Sequence, residues 1–245
     1  MKTISSITEL TEPITLTRRL FASGTIAGLA AAGLAFSASA QGLKDVDDED
    51  SDDRDDETGE IPEEWEELGV TSEYSYESPQ FGHTVEWEEP WKLDPDDPAT
   101  SDIAMEMDEV TLLWEPGEFL EIGLAVLGIP SDRNGIAALG DFLMGSEGQK
   151  VWFGDKFEAE QYLVNTDDSS FEVLLALNHA DDGSFSSWVF LVGTEVTSDV
   201  WTLATLVSDD DLLEDTFNGF SEKVFVNGES LVRLTTWREM ERAIR

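Results

Sequence analysis

Alternation with period two, repeated along consecutive stretches of the C-terminal half, limits this chain more than any other feature. Phe171, Val173, Leu175 and Leu177 fall on one side of an extended run whose other side carries Glu172, Leu174 and Ala176. Asn178 to Ser184 then supplies an Asp-Asp-Gly turn, a strong hairpin signal. Trp188, Phe190 and Val192 follow, opposed by Val189 and Leu191. Gly193 to Asp199 is expected to reverse the chain into a strand carrying Trp201, Leu203, Thr205 and Val207. Short links between neighbouring strands predict an antiparallel meander. Apolar residues on both sides of its middle strands predict covering layers on both faces.

Upstream, Val85 and Trp87 alternate with Thr84, Glu86 and Glu88, and Ile122, Leu124 and Val126 share a face of a strand ending by Pro130. Three helices are expected. Ser131 caps a stripe of Ile136, Leu139, Phe142 and Leu143 that ends by Gly145. Ser208 caps a second helix, with Asp209-Asp210-Asp211 in the first turn, where the helix dipole favours anions, and Leu212, Leu213, Thr216, Phe217 and Phe220 inward. Thr236 and Glu239 form a capping box for a third, with Trp237, Met240 and Ile244 inside and Arg238, Arg242 and Arg245 outside. Residues 72–245 therefore read as one α+β domain.

The first 40 residues read as an export signal. Arg18-Arg19 precedes an uncharged, Ala- and Gly-rich run from Leu20 to Leu43, and Ala38-Ser39-Ala40 frames a cleavage site before Gln41. Arg18, Arg19 and Phe21 match the twin-arginine pattern of folded-protein export, with Ala22 where that pattern prefers Leu; an ordinary secretory signal is the alternative. Uncleaved, Leu20 to Leu43 is long enough to tether the protein to a membrane. Its Ala, Gly and Ser content argues instead for removal, leaving no permanent span and an extracytoplasmic or secreted protein.

Residues 41–71 read as an acidic, disordered linker. Gln41 to Leu68 holds 15 carboxylates against Lys44 and Arg54, which repel one another into an extended chain. Asp45 to Asp56 has the density of a calcium loop but places Asp50 and Asp56 where an EF-hand needs Gly and Glu. Ile61 to Leu68 forms a short helical turn with Trp65 and Leu68 on one side, ending at Gly69.

The charge balance, 54 Asp and Glu against 14 Lys and Arg for a net −40, excludes nucleic acid as a partner and disfavours anionic membranes. With no cysteine, thiolate metal sites, disulfides and a Cys nucleophile are excluded. His83 and His179 are the only histidines and read as turn or strand residues. No hydrolase, zinc-protease or phosphate-loop motif is present. No cofactor, metal or catalytic residue is therefore assigned.

Tyr74-Ser75-Tyr76-Glu77-Ser78-Pro79-Gln80-Phe81-Gly82-His83-Thr84-Val85-Glu86-Trp87, followed by Trp91, resembles the opening of certain secreted bacterial proteins that begin Y-x-S-P-x-F/Y-G-x-x-(V/L)-x-W. That group is similar in layout to the PsbP/Mog1-like fold, and Phe225-Val226-Asn227-Gly228 fits its closing pattern. The resemblance implies an antiparallel sheet with helices packed on its faces, an α/β/α sandwich. Physically, Ser78, Pro79, Phe81 and Gly82 make a tight turn that starts the sheet, and Trp87 and Trp91 seal one end of the core. The motif carries fold information and no catalytic residue. The leading reading is an exported, non-catalytic binding or accessory protein. Its alternatives are a carbohydrate-binding module using exposed Trp65, Trp114 or Trp152, and a secreted hydrolase with a carboxylate pair.

Overall fold

Where apolar side chains recur every second residue, the chain is extended and paired with its neighbour. The computed structural model describes residues 61–104, 106–115, 118–126, 153–154, 156–197 and 200–245. Three long strands form the expected run, β9 (Ser170–His179), β10 (Phe185–Thr197) and β11 (Val200–Ser208), and a fourth that was not expected, β8 (Phe157–Thr166), precedes them, each antiparallel to the next. The Asp-Asp-Gly turn joins β9 to β10, with Gly183 at φ 71°. The second reversal comes later than Gly193, because β10 stays paired with β11 as far as Thr197. Gly193 belongs to the strand because the Phe171 ring lies over it; a Cβ there would stand 2.0 Å from that ring.

The sheet is larger than a meander. β6 (Met107–Glu115) and β7 (Glu118–Val126) form a hairpin, and β7 pairs with β11, so the order is β4-β6-β7-β11-β10-β9-β8. Two short strands, β4 (Lys92–Leu93) and β5 (Ala99–Asp102), both pair with β6.

A second, small sheet was not expected. It has the order β1 (Val70–Ser72), β2 (Ser75–Glu77), β3 (Thr84–Trp87), β12 (Val224–Val226) and β13 (Glu229–Ser230). It draws the opening motif and the Phe225–Gly228 segment together, since β3 pairs with β12. Asn227 and Gly228, at φ 52° and 77°, make the two-residue turn that joins β12 to β13.

The helices are α1 (Glu63–Glu67), α2 (Leu213–Lys223) and α3 (Trp237–Ile244). Ser208 is not the cap of α2. It ends β11, its hydroxyl accepts from Thr216 Oγ1 at 2.9 Å, and Asp209–Asp211 form the turn before the helix. The α3 capping box is present. Its bonds from Thr236 hold the Glu239 carboxyl below the usual range.

Both faces of the large sheet are buried. On one, Val110, Ile122, Leu174, Phe190 and Leu206 pack with α2, α3 and the small sheet through Phe217, Phe220, Met240, Val85 and Trp87. On the other, Val173, Leu175, Val189, Leu203 and Val207 form a second cluster with Phe153. The fold is thus α+β, an antiparallel sheet with helices packed against it. The helix expected from Ser131 to Gly145 lies outside the described residues, as do residues 1–60. Within the segment read as linker, Glu63–Glu67 is helical and Val70–Ser72 is a strand. Trp65 and Leu68 pack against the first cluster and Val70 is buried, because their apolar side chains offset the surrounding glutamates.

Candidate functional site

The opening motif is wired to a single buried carboxylate. Asp108, on β6, is fully buried. Its Oδ2 accepts from Ser78 Oγ at 2.5 Å and from the Gln80 N–H at 2.9 Å. Its Oδ1 accepts from Gln80 Nε2 and from Ser101 Oγ, both at 2.6 Å. Ser78 Oγ in turn accepts the Phe81 N–H at 3.0 Å, and Gly82, at φ 63°, closes the turn by donating to the Ser78 carbonyl. Pro79 is exposed while Phe81 packs against the core. A buried carboxylate with four donors is a satisfied structural anchor rather than an acid–base group.

His83 and His179 stand on different elements. His83 Nδ1 lies 3.0 Å from Asn227 Nδ2, while Asn227 Oδ1 accepts the Thr84 N–H at 3.1 Å. This ties the opening motif to the β12–β13 turn. His179 is exposed at the end of β9, its ring 5.2 Å from Phe157.

Among the described residues the tryptophans are spent on packing. Trp87, Trp91, Trp188 and Trp201 are buried, and Trp65, Trp114 and Trp237 are partly buried against the first cluster. Trp114 meets Trp91 edge-on at 5.1 Å and covers Gly219 of α2. Trp65 and Trp114 therefore do not offer the open faces a sugar platform needs. Trp152 lies outside the described residues, as do Arg18, Arg19, Phe21, Ala38 and Ala40.

Two buried glutamates were not singled out by sequence. Glu172, on β9, is fully buried, and its Oε1 accepts the N–H groups of Arg233 at 2.6 Å and Leu234 at 2.8 Å. It clamps the segment that leads into α3. Burial raises its pKa, against the lowering effect of its bonds from residues 233–235.

Glu121, on β7, faces the second cluster side by side with Thr111 of β6 and Thr205 of β11. It is fully buried, and neither of its oxygens meets a hydrogen-bond donor. Burial, then the neighbouring Glu109 carboxylate within hydrogen-bonding reach, push its pKa well above the usual carboxylate range; Asp97 adds to the same effect. Glu109 is partly exposed. Perturbed pairs of this kind mark candidate sites of chemistry or binding. In an acidic chain, each such Glu looks like any other in sequence.

Among the described residues no three Asp, Glu or His side chains are grouped to hold a metal ion, and no helix is long and apolar enough to cross a membrane. No family model and no curated protein matches the chain. Solved structures similar to it include the following two. The cyanobacterial PsbP of Synechocystis aligns with a TM-score of 0.44 and 12% identity over 64% of this chain and 95% of its own. The Ran-binding protein Mog1p of Saccharomyces cerevisiae aligns with a TM-score of 0.37 and 8% identity, over 65% of this chain and 97% of its own.

Proposed function

We propose that this chain is an exported binding or accessory protein that does no covalent chemistry. The observation that carries the reading is where its chemically distinctive side chains are committed. Ser78 and Asp108 bond to one another, His83 to Asn227, Glu172 to the 233–234 backbone, and Trp188 to Asp210 through its indole N–H at 2.8 Å. Each of these holds the framework in shape. The two-sheet body with an acidic exterior is suited to recognition by surface.

Export rests on the N-terminal sequence. Replacing Arg18 and Arg19 by Lys is expected to retain the protein in the cytoplasm, seen by fractionation, while the unaltered chain appears outside with Gln41 as its first residue.

A second reading, hydrolysis by a carboxylate pair, is favoured by Glu109 and Glu121, whose environments set them apart. One experiment separates the two. In-cell crosslinking of the exported protein is expected to yield a defined partner at equal stoichiometry in the parent and in Glu121→Gln. Turnover of model glycosides or esters that disappears in Glu121→Gln would establish the hydrolase instead.

A further inference from the structure

The cations of this acidic chain gather at its C-terminal helix. Of the seven Lys and Arg among the described residues, four lie in residues 233–245, where only Glu239 and Glu241 oppose them. Arg238 and Arg242 on α3 and Arg245 at its C-cap stand at spacings of four and three, which sets them along one exposed stripe. Arg245 pairs with Glu241. Arg238 and Arg242 have neither an ion pair nor a hydrogen bond among the described residues, in a chain with 54 carboxylates. Arg242 only lends its charge to Glu239, whose carboxylate is engaged by Thr236 in the capping box. The stripe is also held in place. Met240 is fully buried on the inner side of α3, and Glu172 clamps the segment that enters it.

A free polyanion is a poor occupant for this stripe. A nucleic acid, an acidic protein or a second copy of this chain must first approach a body of net −28 between Glu73 and Arg245, whose field opposes it. Residues 45–60 differ, because they are joined to that body whatever they touch. They hold 11 carboxylates against Arg54, and their repulsion from the bulk of the surface is present in every position they take. What varies is the local charge beside them, and the arginine stripe is where it is positive. The chain enters the described structure at Ile61, which packs with Trp65 on the same cluster that holds Trp237, Met240 and Ile244. Residues 45–60 extend to about 50 Å, against roughly 40 Å across a globule of this size, so the stripe is within reach. We propose that residues 45–60 dock on Arg238, Arg242 and Arg245, so that the chain covers its own cationic surface. Each pair is weak in water, and the tether, which keeps the segment at high effective concentration, sustains the contact. With the stripe covered, α3 has no cationic face left for an anionic partner.

The chain has no cysteine, so Ser51→Cys carries a nitroxide at one defined place in the full chain. Amide spectra of the nitrogen-labelled protein then read which residues the nitroxide broadens. In dilute buffer the amides of residues 238–245 and the Trp237 indole are expected to broaden, while those of the turn at Gly183 stay sharp. Raising NaCl to 1 M, where the Debye length is about 3 Å, is expected to abolish the broadening in the same sample. The doubly substituted Arg238→Gln, Arg242→Gln chain is expected to lose it without added salt. If that variant fails to fold, the salt titration of the parent and Arg242→Gln alone decide the matter. Broadening spread evenly over the surface, or centred away from α3, overturns the contact. So does broadening at α3 that persists in the arginine variants or in 1 M NaCl. Broadening in a nitrogen-labelled chain without nitroxide, mixed with a spin-labelled one, would put the segment on a second copy and overturns it as well.

Discussion

Ser78 holds the opening turn with one oxygen, donating to Asp108 and accepting from Phe81. Its removal leaves a buried carboxylate short of a donor and a backbone N–H short of an acceptor. Ser78→Ala is expected to cost about 1–3 kcal/mol, read from the urea midpoint, although it deletes a single atom. Glu172 gives a prediction with a sign. Its folded pKa lies above its ordinary value of 4.5, so the unfolded chain releases the proton first. The stability tied to Glu172 is therefore full below that value and declines as pH rises through the raised folded pKa. Glu172→Gln keeps an oxygen for the Arg233 and Leu234 N–H groups and is expected to flatten that part of a pH–stability curve. A curve of unchanged shape would count against the assignment. At this scale sequence is a partial guide. The motif marked Ser78 and Gly82, because turn chemistry is local. It could not mark Asp108, Glu121 or Glu172, whose roles come from burial by residues far along the chain.

Elements were legible in proportion to how cleanly they alternate. β9, β10 and β11 stand out because both faces are buried and their turns are polar. β8 escaped notice as an edge of the sheet, its burial irregular around a bulge between Gln161 and Leu163. β6 was missed as Leu112, Leu113 and Trp114 blur its period. Of the small sheet only β3 was legible, through Val85 and Trp87, since its other strands, of two or three residues, carry too few positions for a pattern. Helix α2 shows packing reversing a propensity rule. Gly to Ala inside a helix ordinarily stabilises by up to about 1 kcal/mol. At Gly219 the new Cβ would stand 2.1 Å from the Trp114 ring, itself fixed against Trp91. Gly219→Ala is expected to destabilise by about 1–3 kcal/mol in denaturant unfolding, the range for overpacking. For α3 the sequence stripe named three anchors, and the structure ranks them. Met240 is fully buried, while Trp237 is partly exposed with its ring 6.2 Å from Phe217. Met240→Ala is expected to cost about 2–5 kcal/mol and Arg242→Ala, on the exposed side, within about 0.5 kcal/mol. The reverse ranking would mean that α3 is held by charge.

Over the whole molecule the prevailing electrostatic effect is self-repulsion. From Glu73 to Arg245 there are 37 carboxylates and nine Lys or Arg, a net of −28, and the full chain reaches −40. Among the described residues, the pairs Arg233–Glu229 and Arg245–Glu241 are local to one turn and open to water, so each offsets little of this. The buried faces of the large sheet must therefore hold together a shell whose charges favour expansion. Raising NaCl from 0.1 M to 1 M shortens the Debye length from about 10 Å to about 3 Å and removes most of that opposition. The melting temperature is expected to rise across this range. Salt also strengthens apolar burial to some degree, so the rise alone does not identify its cause. A variant with Glu158, Glu160, Glu214 and Glu222 changed to Gln, all exposed, separates the two contributions. If charge is responsible, the variant melts higher than the parent in dilute buffer, and the gap closes as salt increases. If the two chains rise in parallel, the effect belongs to the core, and the acidic surface has some purpose other than tuning stability to salt.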